Sequence, residues 1–377
     1  MNTALIPQPG RTAPARLAAP PTRQSPWHSA PRLPDDPNQE RALASALRRE
    51  LKAAGCFDPA PLAIALRMSL VAAAFATGFV LLLHGPALPW RLLTLAGLAF
   101  VTVQAMYIGH DAFHGVIARR RWVGRLAGQV FFTLLTGVPA GHYRYIHSRH
   151  HPHCQEPGKD EDMETGVFKL YPGARGPERT RFGRFVSRHQ AVLLWPLVTL
   201  QGFSVKWESA GTLRRDPRGT RLDQAVLVLH ALLWLALPAV VLGVPAALLN
   251  YLLVTWFAGP YTASVLLINH IGTHVWAPGS TPSNFRRQLL TTRSIGHSRL
   301  ADFLCGGLNH HVEHHLFPSI PTARLPRARQ ITQAFCQAHH LPYRHMSWLQ
   351  AMGEVFHYVR AVARDAAPAP AAQEVRP

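Results

Sequence analysis

Four stretches of this chain are apolar on every side: Leu62 to Leu83, Leu92 to Ile108, Ala225 to Leu242 and Ala246 to Ile268. None shows the period-two or 3.6-residue alternation of a half-buried strand or a surface helix, so each predicts a helix surrounded by apolar matter. A helix crossing about 30 Å of hydrocarbon needs about 20 residues. The first run holds 22, flawed only by Arg67 near its start. The second is shorter, but Leu88, Pro89 and Trp90 extend it to an interface where Arg91 can snorkel. Short turns free of Lys and Arg, His84 to Trp90 and Gly243 to Pro245, join the runs in pairs. The pattern predicts an all-α membrane protein with four transmembrane helices in two hairpins. Two further runs, Leu126 to Ala140 and Ala191 to Val205, are short and broken by Gly or Pro, and predict interfacial or re-entrant helices. Gln39 to Ala54 mixes charge with good helix formers and predicts a surface helix. Residues 1–38 carry nine prolines and no apolar run, which predicts a disordered arm; residues 366–377, rich in Ala and Pro, predict a matching tail. Residues 39–365 are then the membrane-embedded domain.

Charge supplies the orientation. The 377 residues are 48% hydrophobic yet carry a formal charge of +19, which narrows the partner to nucleic acid or a membrane. Zinc-finger spacing, an RNP-like aromatic motif and a basic zipper are all lacking, so nucleic acid is excluded. Between Gly109 and Arg221 there are 18 Lys and Arg, which predicts that this stretch stays in the cytoplasm. Four spans then put both termini on that side. Arg119, Arg120 and Arg121 belong to this orienting charge. Cys56, Cys154, Cys305 and Cys336 are far apart and form no CxxC pair, so they are read as small buried or free thiols.

The histidines carry the chemistry. Fourteen of the 22 fall in two windows, 110–153 and 270–315, each beginning where a span emerges on the cytoplasmic side. His110 and His114 form one cluster; His147, His150 and His151 a second; His311, His314 and His315 a third. Residues three and four apart share one face of a helix, so each cluster projects its imidazoles in one direction. Imidazole suits Zn, Cu, Fe and Ni, and eight ligands exceed what one four-coordinate ion needs, so a two-metal site is the economical reading. His270 and His274, at the end of the fourth span, both offer a ninth ligand at the same HxxxH spacing. His142, His153 and His310 sit beside the clusters without matching their spacing, and His189, His230, His297, His339 and His345 are read as structural or surface groups. Acids that can fix imidazole tautomers lie near in sequence: Asp111, inside the first cluster, and Glu156, Asp160, Asp162 and Glu313.

The segments HDAFH (110–114), HSRHH (147–151) and HHVEHHLFPSIP (310–321) resemble the three histidine boxes of the membrane fatty acid desaturase family, over roughly residues 62–345. The resemblance implies a centre of two Fe ions, O2 as co-substrate and a lipid acyl chain that enters a tunnel toward the metals. By position it makes His110, His114, His147, His150, His151, His311, His314 and His315 ligands, with His270 in the place of the extra histidine; the position of Asp111 inside the first box separately gives it a supporting role behind the ligands. The chain departs from front-end members, which usually begin the third box with Gln where His311 stands. The HPGG haem motif of a fused cytochrome b5 domain is also missing, which implies a separate electron donor of ferredoxin or cytochrome b5 type. The expected function is O2-dependent desaturation of a fatty acyl chain in a lipid or acyl thioester, at a cytoplasmic helical cap that holds the metals. A fatty acid or carotenoid hydroxylase or ketolase would use the same fold. A membrane metal transporter or sensor would instead place its ligands near the bilayer midplane.

Overall fold

The computed structural model describes residues 33–174, 176–177, 180–215, 221–296 and 298–365. The expected arm lies outside these as far as residue 32, and the expected tail and His297 lie outside them entirely. Leu33 is already buried, and helix α1 (Pro37–Ala53) opens at Pro37, capped by Asp36. The regular structure of the described residues is helical apart from two short segments, Ser294–Ile295 and His345–Met346, which pair in parallel.

Four helices are long and apolar enough to cross a membrane: Pro61–Leu83, Leu88–Phe113, Arg221–Leu242 and Val244–Asn269. They coincide with the four apolar runs. The first two are α2 and α3. Between α3 and the third span lies the segment from α4 to α7: α4 (Arg121–Ala127), α5 (Ala140–His153), α6 (Arg181–Leu197) and α7 (Gln201–Arg215). The third span is α8 (Arg221–Ala231), a π-helical turn and α9 (Leu237–Leu242); the fourth is α10 (Val244–Leu266) with a closing 3₁₀ turn. Pro at the first or second position opens α2, α3 and α10, where its fixed φ suits a helix start and no N–H is missed. Gly243, between α9 and α10, has φ +88, a conformation that side chains with a Cβ avoid.

Burial ranks the spans. Over its most apolar window α3 is 56% buried and α2 only 17%, so α3 is the central post and α2 leans on it with one face. That face is Val71, Phe75, Phe79 and Leu82, at helical spacing. Phe75 and Phe79 meet Trp234 of the third span edge-on, with centroids 5.6 and 5.5 Å away. Arg91 reaches Asn250 of α10 at 2.8 Å, which satisfies a cation that the sequence placed at an interface.

The two short apolar runs are not among the helices long and apolar enough to cross. α4 and the π-helical turn Gly128–Leu134 bury Phe131 and Phe132 beside α3, and the chain then turns at Gly137. The end of α6 passes through a 3₁₀ turn, Val198–Leu200, whose carbonyls lie against α10 at Gly259, where a side chain would collide with them.

The remaining helices are α11 (Asn284–Thr291), α12 (Arg299–Leu304), α13 (His311–Leu316), α14 (Leu325–Ala338) and α15 (Trp348–Asp365). One core cluster joins α1, α11, α13 and α14 through Leu47, Leu51, Leu289, Val312 and Ala328. Another joins α6 and α15 through Ala191, Leu194, Val355 and Val359. Burial of apolar area therefore fixes α13 from one side and the end of α10 from the other.

Candidate metal centre

Each histidine cluster lies at a helix end whose position the packing sets. His110 is in the last turn of α3 and His114 caps it. His147, His150 and His151 lie on α5, and His311, His314 and His315 on α13. The start of α5 is tethered by Asp223 at the foot of the third span, which accepts Gly141 N–H at 3.0 Å and Gln129 Nε2 at 2.6 Å. A carboxylate there also complements the positive end of the helix.

The nine imidazoles from these helices and from His270 meet in one place. His110, His114, His147 and His314 each bring a ring nitrogen within 4.8 Å of the others, and so do His150, His270 and His315, with Cys154 beside them. His151 stands between the two groups, with His314 and His315. The nitrogens facing one another are Nε2 atoms: His114 to His147 2.8 Å, His151 to His147 3.1 Å, His150 to His270 3.3 Å and His311 to His270 2.6 Å. A metal–imidazole bond of about 2.1 Å at angles of 90–109° places neighbouring ligand nitrogens about 3.0–3.4 Å apart. The 3.1 and 3.3 Å separations fall in that range and the 2.8 and 2.6 Å ones just under it, so the rings are packed about as closely as the ligands of a metal. Nε2 of His314 and of His315 are buried with no hydrogen-bond partner, as ligand atoms are when nothing but a metal satisfies them.

Several opposite ring nitrogens are held. His150 Nδ1 pairs with Asp160 Oδ1 at 2.9 Å, and Asp160 Oδ2 also accepts the Gln155 N–H. His315 Nδ1 pairs with Gln288 Oε1 at 2.9 Å, and the Gln288 amide donates to the His151 carbonyl. His270 Nδ1 meets the Thr291 carbonyl at 2.9 Å. Such partners fix the tautomer so that Nε2 carries the free lone pair. Burial, reinforced by neighbouring imidazoles, holds His114, His147, His151, His311, His314 and His315 well below the usual histidine range, and His270 falls to about 3 for the same reasons. Burial also disfavours charge on His150, but the carboxylates of Asp160 and Asp162 outweigh it and hold that ring at about 9. Neutral imidazoles are the form that binds metal. Cys154 stays a thiol, because burial pushes it well above its ordinary range.

The sequence left His270 and His274 as alternatives, and the structure separates them. His270 is in the cluster, whereas His274 packs edge-on against Trp276 at 4.4 Å. Asp111 stands beside His110, with its Oδ1 3.6 Å from His110 Nδ1, while its Oδ2 takes Arg67 Nη1 at 3.2 Å and the Thr322 hydroxyl at 2.6 Å. Among the other acids only Asp160 is bonded to a clustered ring, with Asp162 3.4 Å away and largely exposed. Glu156 binds Arg287, Lys159 and His153, and Glu313 takes Tyr343 and Ser294. His142 meets Thr212, His310 lies 2.8 Å from Asp302, and His230 sits inside the bundle on the Leu134 carbonyl and Tyr251. Gln288 and the Thr291 carbonyl were not singled out from sequence; both lie on α11, where a 3.6-residue apolar pattern marks the inward face but no spacing signals a ring partner.

Comparison with known proteins bears on the same segment. A family profile described as fatty acid desaturase matches residues 85–347. A Delta(8)-fatty-acid desaturase 1 of Arabidopsis thaliana is 27% identical over 67% of this chain and 60% of its own length. An acyl-lipid (9-3)-desaturase of Physcomitrium patens is 22% identical over 89% of this chain and 64% of its own. An acyl-lipid 8-desaturase of Rebecca salina is 28% identical over 83% and 72% respectively. The chain thus spans about three fifths of the length of the first two relatives.

Proposed function

Because the chain belongs to the fatty acid desaturase family, we propose that it introduces a double bond into a fatty acyl chain, using O2 and two iron ions held by the clustered histidines. The observation that carries this reading is the convergence of nine imidazoles into two adjoining groups, at the ends of helices long enough to span a membrane. His110, His114, His147 and His314 would hold one ion, and His150, His270, His311 and His315 the other, with His151 between them. When bound, the ions supply the oxidising power that removes hydrogen from two neighbouring unactivated carbons. The balance is one CH2–CH2 unit, O2, two electrons and two protons giving one CH=CH unit and two waters. The residues keep the rings oriented and dry, since Asp160, Gln288 and the Thr291 carbonyl hold the outer nitrogens while burial excludes water. An all-imidazole set also avoids buried carboxylates beside lipid, where an unpaired charge is costly.

The 18 Lys and Arg between Gly109 and Arg221 favour the cytoplasmic face for this site and for both termini. Electrons would come from a separate carrier of ferredoxin or cytochrome b5 type. Lipids of a host expressing the chain should contain acyl chains lighter by two hydrogens. His314→Ala should abolish that product while the protein still inserts in the membrane. Products that gain oxygen instead, or a His314→Ala variant as active as the parent, overturn the reading.

A further inference from the structure

His270 follows the 3₁₀ turn that closes the fourth span, so the periodicity of α10 does not by itself aim its ring. The peptide groups around it are tied instead. The Asn269 carbonyl accepts the Arg293 backbone N–H at 3.0 Å, the Ile271 carbonyl accepts Arg293 Nη2, and the Gly272 carbonyl accepts Arg344 Nη1 at 3.2 Å. Gly272 has φ +85, and a Cβ there would come within 3.3 Å of Arg293 Nη2, so the loop lies directly against the guanidinium. Arg293 also stands two residues past Thr291, whose carbonyl meets His270 Nδ1. One residue thus holds both the loop that bears the ring and the segment that supplies the ring's outer partner.

Both guanidinium groups end on one atom. Glu354 Oε2 accepts Arg293 Nη1 at 2.7 Å and Arg344 Nη2 at 2.6 Å. The Arg293 side chain has no exposed surface, and a buried cation that loses its counter-charge is strongly destabilising. Burial and the neighbouring Arg344 cation push Arg293 down to about 10, which leaves it charged at neutral pH. Glu354 is carried by α15, whose Ala351, Val355 and Val359 share a core cluster with Ile268 and Ile271 on either side of His270.

We propose that Glu354 is a positioning residue for His270: through Arg293 and Arg344 it holds the loop that presents this ring to the group of His150, His270, His311 and His315. This rests on the two-iron reading and adds a residue to it. Without the Glu354 carboxylate two guanidinium groups face each other, and the buried one must turn toward water. That movement releases the Ile271 carbonyl and frees His270 to swing. Because the bonds of Arg293 and Arg344 converge on residues 269–272, the effect falls on the ion that His270 would hold.

The test uses the full-length protein in detergent, loaded with 57Fe, and reads iron content across a chelator titration beside the Mössbauer spectrum of the ferrous protein. Glu354→Gln keeps the shape and removes the charge. It should release one iron at a chelator concentration about tenfold below that of the parent and hold the other as the parent does, the lower end of the loss expected for a group behind a ligand. In the spectrum one ferrous signal should shift and the other stay. Arg344→Gln, at a position 22% exposed, should act in the same direction with a smaller shift, since Arg293 keeps its carboxylate. A parent that holds no pair of irons defeats the two-iron reading itself. A parent that holds two, with variants whose midpoints and signals match it, defeats the role of Glu354 alone. Loss of both irons together also defeats it, by showing that Glu354 supports the fold and not one ligand. If Glu354→Gln does not fold, Arg344→Gln decides by the same outcomes.

Discussion

Replacing Asp160 with Asn tests whether the two histidine groups are separate metal positions. The Asp160 side chain is completely buried, and it binds His150 Nδ1 at 2.9 Å, Gln155 N–H at 2.8 Å and Asp162 N–H at 3.2 Å. Asn keeps the shape and one of the two acceptor oxygens, so its amide oxygen can still face His150 and Asp162 while Gln155 N–H loses its partner, and it removes the negative charge that raises the basicity of the His150 ring. Loss of such a supporting carboxylate typically costs 10–100-fold in metal affinity, or about 1.4–2.7 kcal/mol. The cost should fall on one ion, because Asp160 touches only His150, while His110, His114, His147 and His314 form the other group. The assay is iron content by plasma mass spectrometry across a chelator titration in detergent. Asp160→Asn should drop from two irons to one at a chelator concentration 10–100-fold below that needed for the parent. Equal midpoints would refute the supporting role of Asp160, and loss of both irons together would refute two separable positions.

Gln288→Leu should lower thermal stability by roughly 1–3 kcal/mol, because His315 Nδ1 and the His151 carbonyl both lose their buried partner; an unchanged Tm in micelles would contradict this. For the metal-free protein, stability should fall as pH drops from 7.5 to 5.5. Burial keeps His114, His147, His151, His311, His314 and His315 below their unfolded value of about 6.5, so the unfolded chain takes up protons first. His150, held at about 9 against its burial by the carboxylates of Asp160 and Asp162, and Asp162, pushed up to about 6 by desolvation, work in the opposite sense but are outnumbered by the six; equal Tm at the two pH values would contradict the balance.

Different kinds of order were legible in the sequence to different degrees. The spans were readable because lipid imposes one requirement on every residue of a run, and Leu62 to Leu83 meets it almost alone. The three boxes were readable because imidazoles that share a helix face must recur at three and four residues, a rule that operates within one helix. The partners that fix the rings obey no such local rule. Gln288 reaches His315 from 27 residues away, whereas Asp160 lies ten residues past His150, across a loop whose path no periodicity encodes.

Asp111 shows the same limit from the other side. Its place inside the first box suggested a partner for a ligand, and its Oδ1 lies 3.6 Å from His110 Nδ1; its Oδ2 takes Arg67 of α2 and Thr322, which follows the third box, contacts that no local spacing encodes. The charge that looked like a flaw in the first span is what holds that carboxylate. Arg67 and Asp111 are 44 residues apart and each is unfavourable alone in an apolar setting; together they tie the first span to the first and third boxes. A charge that interrupts a membrane span is therefore better read as half of a pair, whose other half is to be sought on a neighbouring span at the same depth.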